Sequence, residues 1–215
     1  MTFLSMANQN ALNWVLDHRL HHKFTDTDAD PNNVNRGLFF SHIGFLFVKR
    51  HPDVAKKEKC IDMTDLYANR VLMFQRRYNF LLTAVFCFII PFTVPIIFWS
   101  ETISNSWHSV IMRYTFNLHA FFLVNSAAHY FGIKKYDKNI SATEDKAVSI
   151  ATFGEGFHNY HHVFPSDYRN AELGNSFYNY TKLFIELFAW FGWAYDLKTV
   201  RRAVVYKRFL KTGDH

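Results

Sequence analysis

The amino-acid sequence predicts an all-α fold, in which a two-helix hairpin crosses a membrane beneath a cytosolic helical cap. Two long apolar stretches, at 80–99 and 109–131, predict the hairpin, because each can cross about 30 Å of hydrocarbon. Hydrophobic residues make up 49% of the 215 residues and aromatic residues 19%, which is typical of a membrane-embedded protein. This length predicts a single domain, 1–215.

The segment before the hairpin, 1–79, is predicted to be mostly helical. An amphipathic helix over 1–24 leads into a turn-rich stretch. The apolar segment 38–54 predicts a helix that is too short to cross a bilayer, so we expect it at the membrane interface. Residues 55–79 are rich in charge and predict further helix.

The hairpin follows from the apolar stretches and the loop between them. Its first helix, 80–99, has no charged residue, and Pro91 and Pro95 are expected to kink it. A polar loop at 100–108 leads to the second helix, 109–131. One side of the second helix must face protein, because it carries five residues that are costly in lipid: Arg113, Asn117, His119, Asn125 and His129.

Charge placement orients the hairpin. Residues 1–79 hold 11 Lys and Arg, residues 132–215 hold 12, and the loop at 100–108 holds none. Positive charge favours the cytosolic side, so both flanking segments and both termini are predicted there, with the hairpin at 80–131. The formal net charge of +6 does not indicate nucleic-acid binding, because the basic residues are scattered and no nucleic-acid fold signature is present.

The segment 132–215 completes the predicted cap. An aromatic helix over 177–195, interrupted by Lys182 and Glu186, is expected on the bilayer surface or against the cytosolic part. A basic tail follows, of the kind that lies near anionic lipid headgroups. The two cysteines, Cys60 and Cys87, lack metal-ligand spacing and predict no disulfide framework.

Two histidine boxes with the same H-x-x-H-H spacing, 140 residues apart, predict a metal site. The first box contains His18, His21 and His22, and the second box contains His158, His161 and His162. Imidazole is the commonest metal-ligating side chain, and residues three or four apart share one face of a helix. Each box can therefore present two imidazoles to one ion, while the third reaches another ion or steadies the first.

His129 and Asn125 extend this set at the cytosolic end of the second hairpin helix. Four residues apart, they are predicted to share a helical face, so the imidazole could bind metal and the amide could hold a metal-bound water. The seven imidazoles exceed the four ligands of a closed zinc site and fit two redox-active iron ions with open positions. Five carboxylates near the boxes are expected to orient the imidazoles: Asp17, Asp26, Asp28, Asp30 and Glu155.

The chain resembles the membrane fatty acyl-CoA desaturases, especially the stearoyl-CoA type and its insect relatives, in five motifs: HRLHHKFTDTDADPNN, RGLFFSHIGFLFVKRHPDV, NSAAHYFG, YDKNIS and GEGFHNYHHVFP. The resemblance covers nearly the whole chain. It implies an endoplasmic-reticulum enzyme with two histidine-held iron ions, in which the hairpin is half of a four-span bundle. Such enzymes use O₂ and electrons from cytochrome b5 and its reductase to remove two hydrogens from a mid-chain CH₂–CH₂ of a long-chain acyl-CoA.

The resemblance also implies roles for individual residues. His18, His21, His161 and His162 would serve one iron, and His22, His129 and His158 the other, with Asn125 acting through a water. Asp17, Lys49 and Arg50 would contact the coenzyme A portion. Charge complementarity also favours Lys49 and Arg50, because coenzyme A is a phosphate-rich anion.

The chain departs from the family pattern at several points. The family has an earlier H-x-x-x-x-H box and two earlier spans, whereas this sequence begins just before the family's next box. Two implied iron ligands are therefore missing, which predicts a fragment, a short isoform or an inactive derivative. Leu16 stands where the family commonly has Arg, and Phe122 stands where the stearoyl enzymes carry Trp near the substrate.

Other functions stay open beside a desaturase. A hydroxylase or an acetylenase would use the same oxidising site, and a non-catalytic chain would be inert or would associate with a full-length desaturase. A zinc hydrolase is disfavoured, because no H-E-x-x-H general base accompanies the boxes.

Overall fold

The computed structural model describes residues 10–171 and 179–214, and within these ranges it is helical without a β-strand. The all-α prediction is therefore confirmed. The chain forms two compact units. The first contains the described residues up to Asn33 together with Val48–His119, and the second contains Val34–Phe47 and the described residues from Ala120 onward.

The described helices, in chain order, are α1 (Ala11–Phe24), α2 (Leu38–His42), α3 (Pro52–Glu58), α4 (Thr64–Tyr67), α5 (Arg70–Arg77), α6 (Asn79–Trp99), α7 (Ile103–Asn125), α8 (Ala127–Tyr130), α9 (Lys146–Thr152), α10 (His158–Val163), α11 (Tyr180–Trp190) and α12 (Arg202–Thr212). Short 3₁₀ helices occupy Val34–Arg36 and Gly44–Phe47. A π-helical segment, Ala84–Ile89, lies inside α6.

In the first unit, α1 carries the first histidine box in its second half. The side chain of Asn10 caps the N-terminus of the helix, as Asn does at many helix starts. Gln75 of α5 accepts a hydrogen bond from the backbone N–H of Ala11 at 3.0 Å, and Leu20 is fully buried. These contacts fix α1 within its unit; residues 1–9 of the predicted helix lie outside the described residues.

Within the described residues, α6 is the one helix that is long and apolar enough to cross a membrane, with 21 residues. Only 6% of the most apolar 18-residue stretch of α6 is buried, so its side chains are available to lipid. The predicted second span is not confirmed, because the mean hydropathy of α7 is lower than that of a membrane-spanning helix. The polar and charged residues along α7 lower its hydropathy, as Arg113 and Asn117 illustrate.

The boundaries of α7 differ from the prediction. The helix begins at Ile103, inside the predicted polar loop, and ends at Asn125 rather than near residue 131. Ser126 then interrupts the helix before α8. The expectation that Asn125 and His129 share one continuous helical face is therefore wrong. The side chain of Ser126 donates a hydrogen bond to the carbonyl of Phe122, a contact that competes with continued helix.

The single helix predicted at 38–54 is also wrong. The chain turns after α2, and a Cβ added at Gly44 would lie 3.2 Å from the Phe39 carbonyl oxygen. Pro52 then begins α3 at a first-turn position, where its missing N–H is harmless. The predicted helical region 55–79 is divided by turns, and Asn69 caps α5 by accepting hydrogen bonds from two backbone N–H groups.

The core of the second unit is aromatic. Tyr136, Tyr160, Phe164 and Val205 form one buried cluster. Tyr160 belongs to α10, which carries the second histidine box, and Val205 belongs to α12. The C-terminal helix therefore packs against the segment that carries the box.

The aromatic helix predicted at 177–195 corresponds to α11, of which Tyr180–Trp190 is helical. Residues 177 and 178 lie outside the described residues, and after Trp190 the chain turns through Gly192, which has φ +74°. Lys182 pairs with Glu186 at 3.1 Å, one helical turn apart. Trp190 and Trp193 are exposed, which suits an interfacial position; that position stays a prediction.

Candidate metal centre

In the first unit, the histidines of the first box lie on neighbouring turns of α1. The Nε2 atoms of His18 and His22 are 3.1 Å apart. The rings of His18 and His21 lie side by side with centroids 6.3 Å apart. The i, i+3 and i+4 spacing thus brings imidazoles together as the sequence predicted.

In the second unit, three imidazoles converge through their Nε2 atoms. The Nε2 of His158 lies 2.9 Å from that of His129 and 3.0 Å from that of His162. The ligating nitrogens of these residues all lie within 4.8 Å of one another. His129 and His158 are buried, so the cluster is largely shielded from solvent.

Hydrogen bonds between the rings do not by themselves explain why the three Nε2 atoms lie so close together. In a neutral imidazole the Nε2 atom either donates one hydrogen or accepts through one lone pair, so that of His158 forms a full hydrogen bond with only one of the two nitrogens beside it. A metal ion about 2.1 Å from each nitrogen would place two ligands at right angles about 3.0 Å apart. The spacing of these nitrogens therefore fits a shared metal ion, which His129, His158 and His162 would hold through their Nε2 atoms.

Hydrogen bonds on the opposite side of the rings orient several of these imidazoles. Asp30 contacts the Nδ1 of His21 at 2.8 Å, and Asn170 contacts the Nδ1 of His161 through its amide oxygen at 3.0 Å. These oxygens accept, so each Nδ1 donates its hydrogen, and in a neutral ring the Nε2 then keeps a lone pair for metal. The hydroxyl of Ser141, which can donate or accept, contacts the Nδ1 of His129 at 2.9 Å. Such partners are the ones that metal-bound histidines use.

The two residues between the histidines of the second box anchor α10 to its unit. Asn159 is fully buried, and its amide oxygen accepts from the backbone N–H groups of Tyr136 and Asp137. Its amide nitrogen donates to the carbonyls of Asp137 and Ala142. All four hydrogen-bonding positions of Asn159 are therefore used, and the helix has a fixed orientation.

Tyr160 is the second anchor. Its hydroxyl donates to Asp167 at 2.9 Å, and Arg169 pairs with the same carboxylate through two nitrogens. Burial, and then the neighbouring carboxylate, raise the pKa of Tyr160, so the phenol stays protonated. Burial alone would raise the pKa of Asp167, but its hydrogen bonds with Arg169 and the Val200 N–H outweigh burial and lower it.

Before the second box, the backbone approaches closely at Gly156. A Cβ there would collide with the carbonyl oxygen of Asp145. Gly154 has φ +126°, a conformation that side-chain-bearing residues rarely adopt. Both glycines therefore permit the turn that leads into α10.

Asn125, the one predicted non-histidine ligand, is partly buried at the last residue of α7. His129 lies beyond the break at Ser126 and belongs to the nitrogen cluster. Within the second unit, His162 lies beside His129 and His158, whereas the family resemblance would assign it to the other iron. The division of ligands between two ions stays a prediction.

The predicted coenzyme A contacts lie together in the first unit. The guanidinium of Arg50 binds both carboxylate oxygens of Asp17, at 2.9 and 2.7 Å, and one oxygen of Glu58 at 2.8 Å. Burial raises the pKa of Asp17 even though Arg50 opposes the shift. Lys49 is exposed, and no ion pair to its ammonium group is seen in residues 10–171 and 179–214.

Of the carboxylates expected to orient the boxes, Asp30 does so through His21. Asp17 instead pairs with Arg50. Ser141 and Asn170 were missed, because no spacing rule connects them to the histidines that they contact. Asn159 carried a signal that could have been used, because it is an amide inside the second H-x-x-H-H box.

Comparison with known proteins gives a consistent assignment. The family model described as fatty acid desaturase matches residues 1–199. The chain is 55% identical over its whole length to an acyl-CoA Delta(11) desaturase of Spodoptera littoralis, of which it covers 64%. It is 52% identical to an acyl-CoA Delta-9 desaturase of Acheta domesticus, with 98% of the chain and 59% of that protein aligned.

The similarity extends to vertebrates. The chain is 47% identical to human stearoyl-CoA desaturase 5, with 98% of the chain and 64% of that protein aligned. A Bombyx mori protein named (11Z)-hexadec-11-enoyl-CoA conjugase is 55% identical, with all of the chain and 65% of that protein aligned. The chain thus spans less than two thirds of the length of these relatives.

Proposed function

The chain belongs to the fatty acid desaturase family, and we propose that it acts as a fatty acyl-CoA desaturase on a mid-chain CH₂–CH₂ of a long-chain acyl-CoA. The observation that carries this proposal is the cluster of Nε2 atoms from His129, His158 and His162. Its donor set is nitrogen only and its oriented imidazoles fit a redox-active metal.

We propose that seven imidazoles hold two iron ions, with Asn125 acting through a water. The histidines are His18, His21 and His22 of the first box, His158, His161 and His162 of the second box, and His129. Bound iron would supply the oxidising power by which O₂ removes two hydrogens from the acyl chain. The residues of the chain hold the nitrogens in place: Asp30 orients His21, Asn170 orients His161, and Ser141 orients His129.

Substrate recognition is proposed at Asp17, Lys49 and Arg50. Lys49 is exposed and offers a mobile cation to the phosphates of coenzyme A. Arg50 offers a planar donor group that Asp17 and Glu58 hold in one orientation. A held guanidinium loses less conformational freedom on binding an anion, which favours affinity.

The proposed setting is the endoplasmic-reticulum membrane, with a multi-pass topology and cytosolic termini. The exposed apolar surface of α6 supports contact with the lipid bilayer. Cytochrome b5 and its reductase are the proposed electron source, because a reaction that reduces O₂ while removing two hydrogens needs two further electrons.

The activity is tested by expressing the intact protein in yeast that lacks its own acyl-CoA desaturase and analysing fatty acids by mass spectrometry. An alkene at a mid-chain position that is lost in His158→Ala supports the proposal. His108→Ala is the matched control, because His108 is exposed and lies outside both boxes. A hydroxylated product without an alkene would assign a hydroxylase, and a triple bond an acetylenase.

Iron content provides a second test that does not depend on turnover. Purified wild-type protein should hold two iron ions per chain, and His158→Ala should hold fewer. If wild-type protein reconstituted with Fe²⁺ retains no iron, the proposed enzyme is wrong, and a non-catalytic role becomes the better assignment.

A further inference from the structure

His42 lies outside both histidine boxes, yet it contacts the segment that leads to His129. It ends α2, and its Nδ1 lies 2.9 Å from the hydroxyl of Ser126. Its ring meets the ring of Phe122 edge to face, with centroids 5.8 Å apart. The short helix α2 therefore places the imidazole of His42 beside the break between α7 and α8.

The hydrogen bonds of Ser126 determine which group donates. Its hydroxyl donates its one hydrogen to the carbonyl oxygen of Phe122 at 2.8 Å. The same hydroxyl must then accept from His42, so the Nδ1 of His42 carries a proton. Ser126 is almost fully buried, and losing this donor would leave an acceptor without its partner.

Ser126 sets the direction of the next helix. Its own backbone N–H still bonds Phe122 at 3.2 Å, but its φ of −112° and ψ of −75° depart from α-helix. Its carbonyl accepts from the backbone N–H of His129 at 3.0 Å, which begins α8. The position of the His129 ring therefore depends on the conformation of Ser126.

We propose that His42 is a positioning residue, which holds Ser126 so that His129 and Asn125 face their metal. This inference rests on the proposed iron centre. His42 acts through Ser126 rather than as a ligand, and the aromatic contacts of Phe122 with His42 and Phe45 hold the same region from the side.

The variants separate the hydrogen bond from ring packing. His42→Phe keeps an aromatic ring and removes the donor, whereas His42→Asn removes the ring and keeps an N–H near the place of Nδ1. Ser126→Ala removes the acceptor. His108→Phe is the matched control, because His108 is exposed and its ring hydrogen-bonds to Ser104 on its own helix.

The first readout is binding of Co²⁺ to the full chain in detergent, followed by its visible absorption, which reports ligand geometry. We expect His42→Phe and Ser126→Ala each to weaken Co²⁺ binding about 10–100-fold, the range for groups that orient metal ligands. The double variant should be no weaker than either single variant. His42→Asn should recover most of the affinity, and His108→Phe should bind like wild type.

The second readout is hydrogen–deuterium exchange in the metal-free protein. The amide of His129 should exchange faster in His42→Phe and in Ser126→Ala, and near the wild-type rate in His42→Asn. Since this needs no metal, it tests His42 even if wild-type protein binds neither Co²⁺ nor Fe²⁺, an outcome that would defeat the proposed function alone. Unchanged exchange in His42→Phe, or equal damage from His42→Asn, would overturn the positioning role.

Discussion

The guanidinium of Arg113 on α7 donates a hydrogen bond to the backbone carbonyl oxygen of Cys87 on α6. In a continuous α-helix that oxygen would accept from the residue four positions later, which is Pro91 and has no N–H. The π-helical segment Ala84–Ile89 surrounds the same carbonyl. Arg113 thus supplies, in an apolar region, the hydrogen-bond donor that Pro91 cannot offer to the carbonyl of Cys87.

The stability that Arg113 contributes should depend on Pro91. Arg113→Leu should destabilise the protein by about 1–3 kcal/mol, because it leaves a carbonyl without a partner in an apolar region. In a Pro91→Ala background, where residue 91 regains an N–H, Arg113→Leu should cost measurably less. Thermal unfolding in detergent, followed by circular dichroism, gives the four values of this cycle. Equal costs in both backgrounds would contradict the role assigned to Arg113.

Asp30 should control the metal affinity of the first box. It holds the Nδ1 of His21 and is itself fixed by the backbone N–H groups of Asp26 and Asn32, at 2.8 and 2.9 Å. We expect Asp30→Asn to lower affinity for Co²⁺ about 10–100-fold. Asp28→Asn is the control, since Asp28 is exposed in the same loop. A similar loss in both variants would show that the loop, rather than the carboxylate, is responsible.

Asn159 should be required for the fold of the second unit. Asn159→Leu keeps the approximate volume but leaves two backbone N–H groups and two carbonyls without partners, so we expect a loss of about 3–5 kcal/mol. Chemical denaturation measures this loss. Asn105→Ala, at an exposed site, should change stability by less than about 0.5 kcal/mol. Wild-type stability in Asn159→Leu would refute the anchoring role.

Asp167 predicts an acid-dependent loss of stability. Its pKa is lower in the folded protein than the ordinary value of 3.8, so its contribution is complete above that value and is lost as pH falls through the folded pKa. We expect the unfolding temperature to drop as pH falls below about 4. Asp167→Asn should lose about 3–5 kcal/mol at neutral pH, because Arg169 stays buried without its partner.

The pH profile separates Asp167 from the other carboxylates. Asp167→Asn should show a flatter decline in unfolding temperature below pH 4 than wild type. Asp214→Asn should keep the wild-type slope, because Asp214 is exposed near the end of α12. An unchanged slope in Asp167→Asn would place the acid sensitivity elsewhere.

Lys49 and Arg50 should affect substrate binding differently. Lys49→Gln should raise the KM for acyl-CoA roughly tenfold with little change in kcat, because one charge-assisted phosphate contact of about 1.5 kcal/mol is removed. Arg50→Gln should raise the KM and also lower the unfolding temperature, because the partly buried Asp17 loses its partner. Lys56→Gln, an exposed neighbour, is the control. A KM unchanged by Lys49→Gln would remove Lys49 from the proposed coenzyme A site.

The sequence alone determined the helical class, the apolar helix α6, and the pairing of imidazoles within each box. These features depend on contacts a few residues apart along one helix, and a helical repeat predicts such contacts directly. The family followed from the same local motifs.

Only the tertiary structure decided which groups orient the ligands and where helices break. Ser141 and Asn170 reach His129 and His161 through turns whose geometry no spacing rule encodes. The hydroxyl of Ser126, at the break, contacts His42, 84 residues earlier in the chain. Since hydrogen bonds between distant residues form only once packing has fixed both partners, local periodicity cannot predict them.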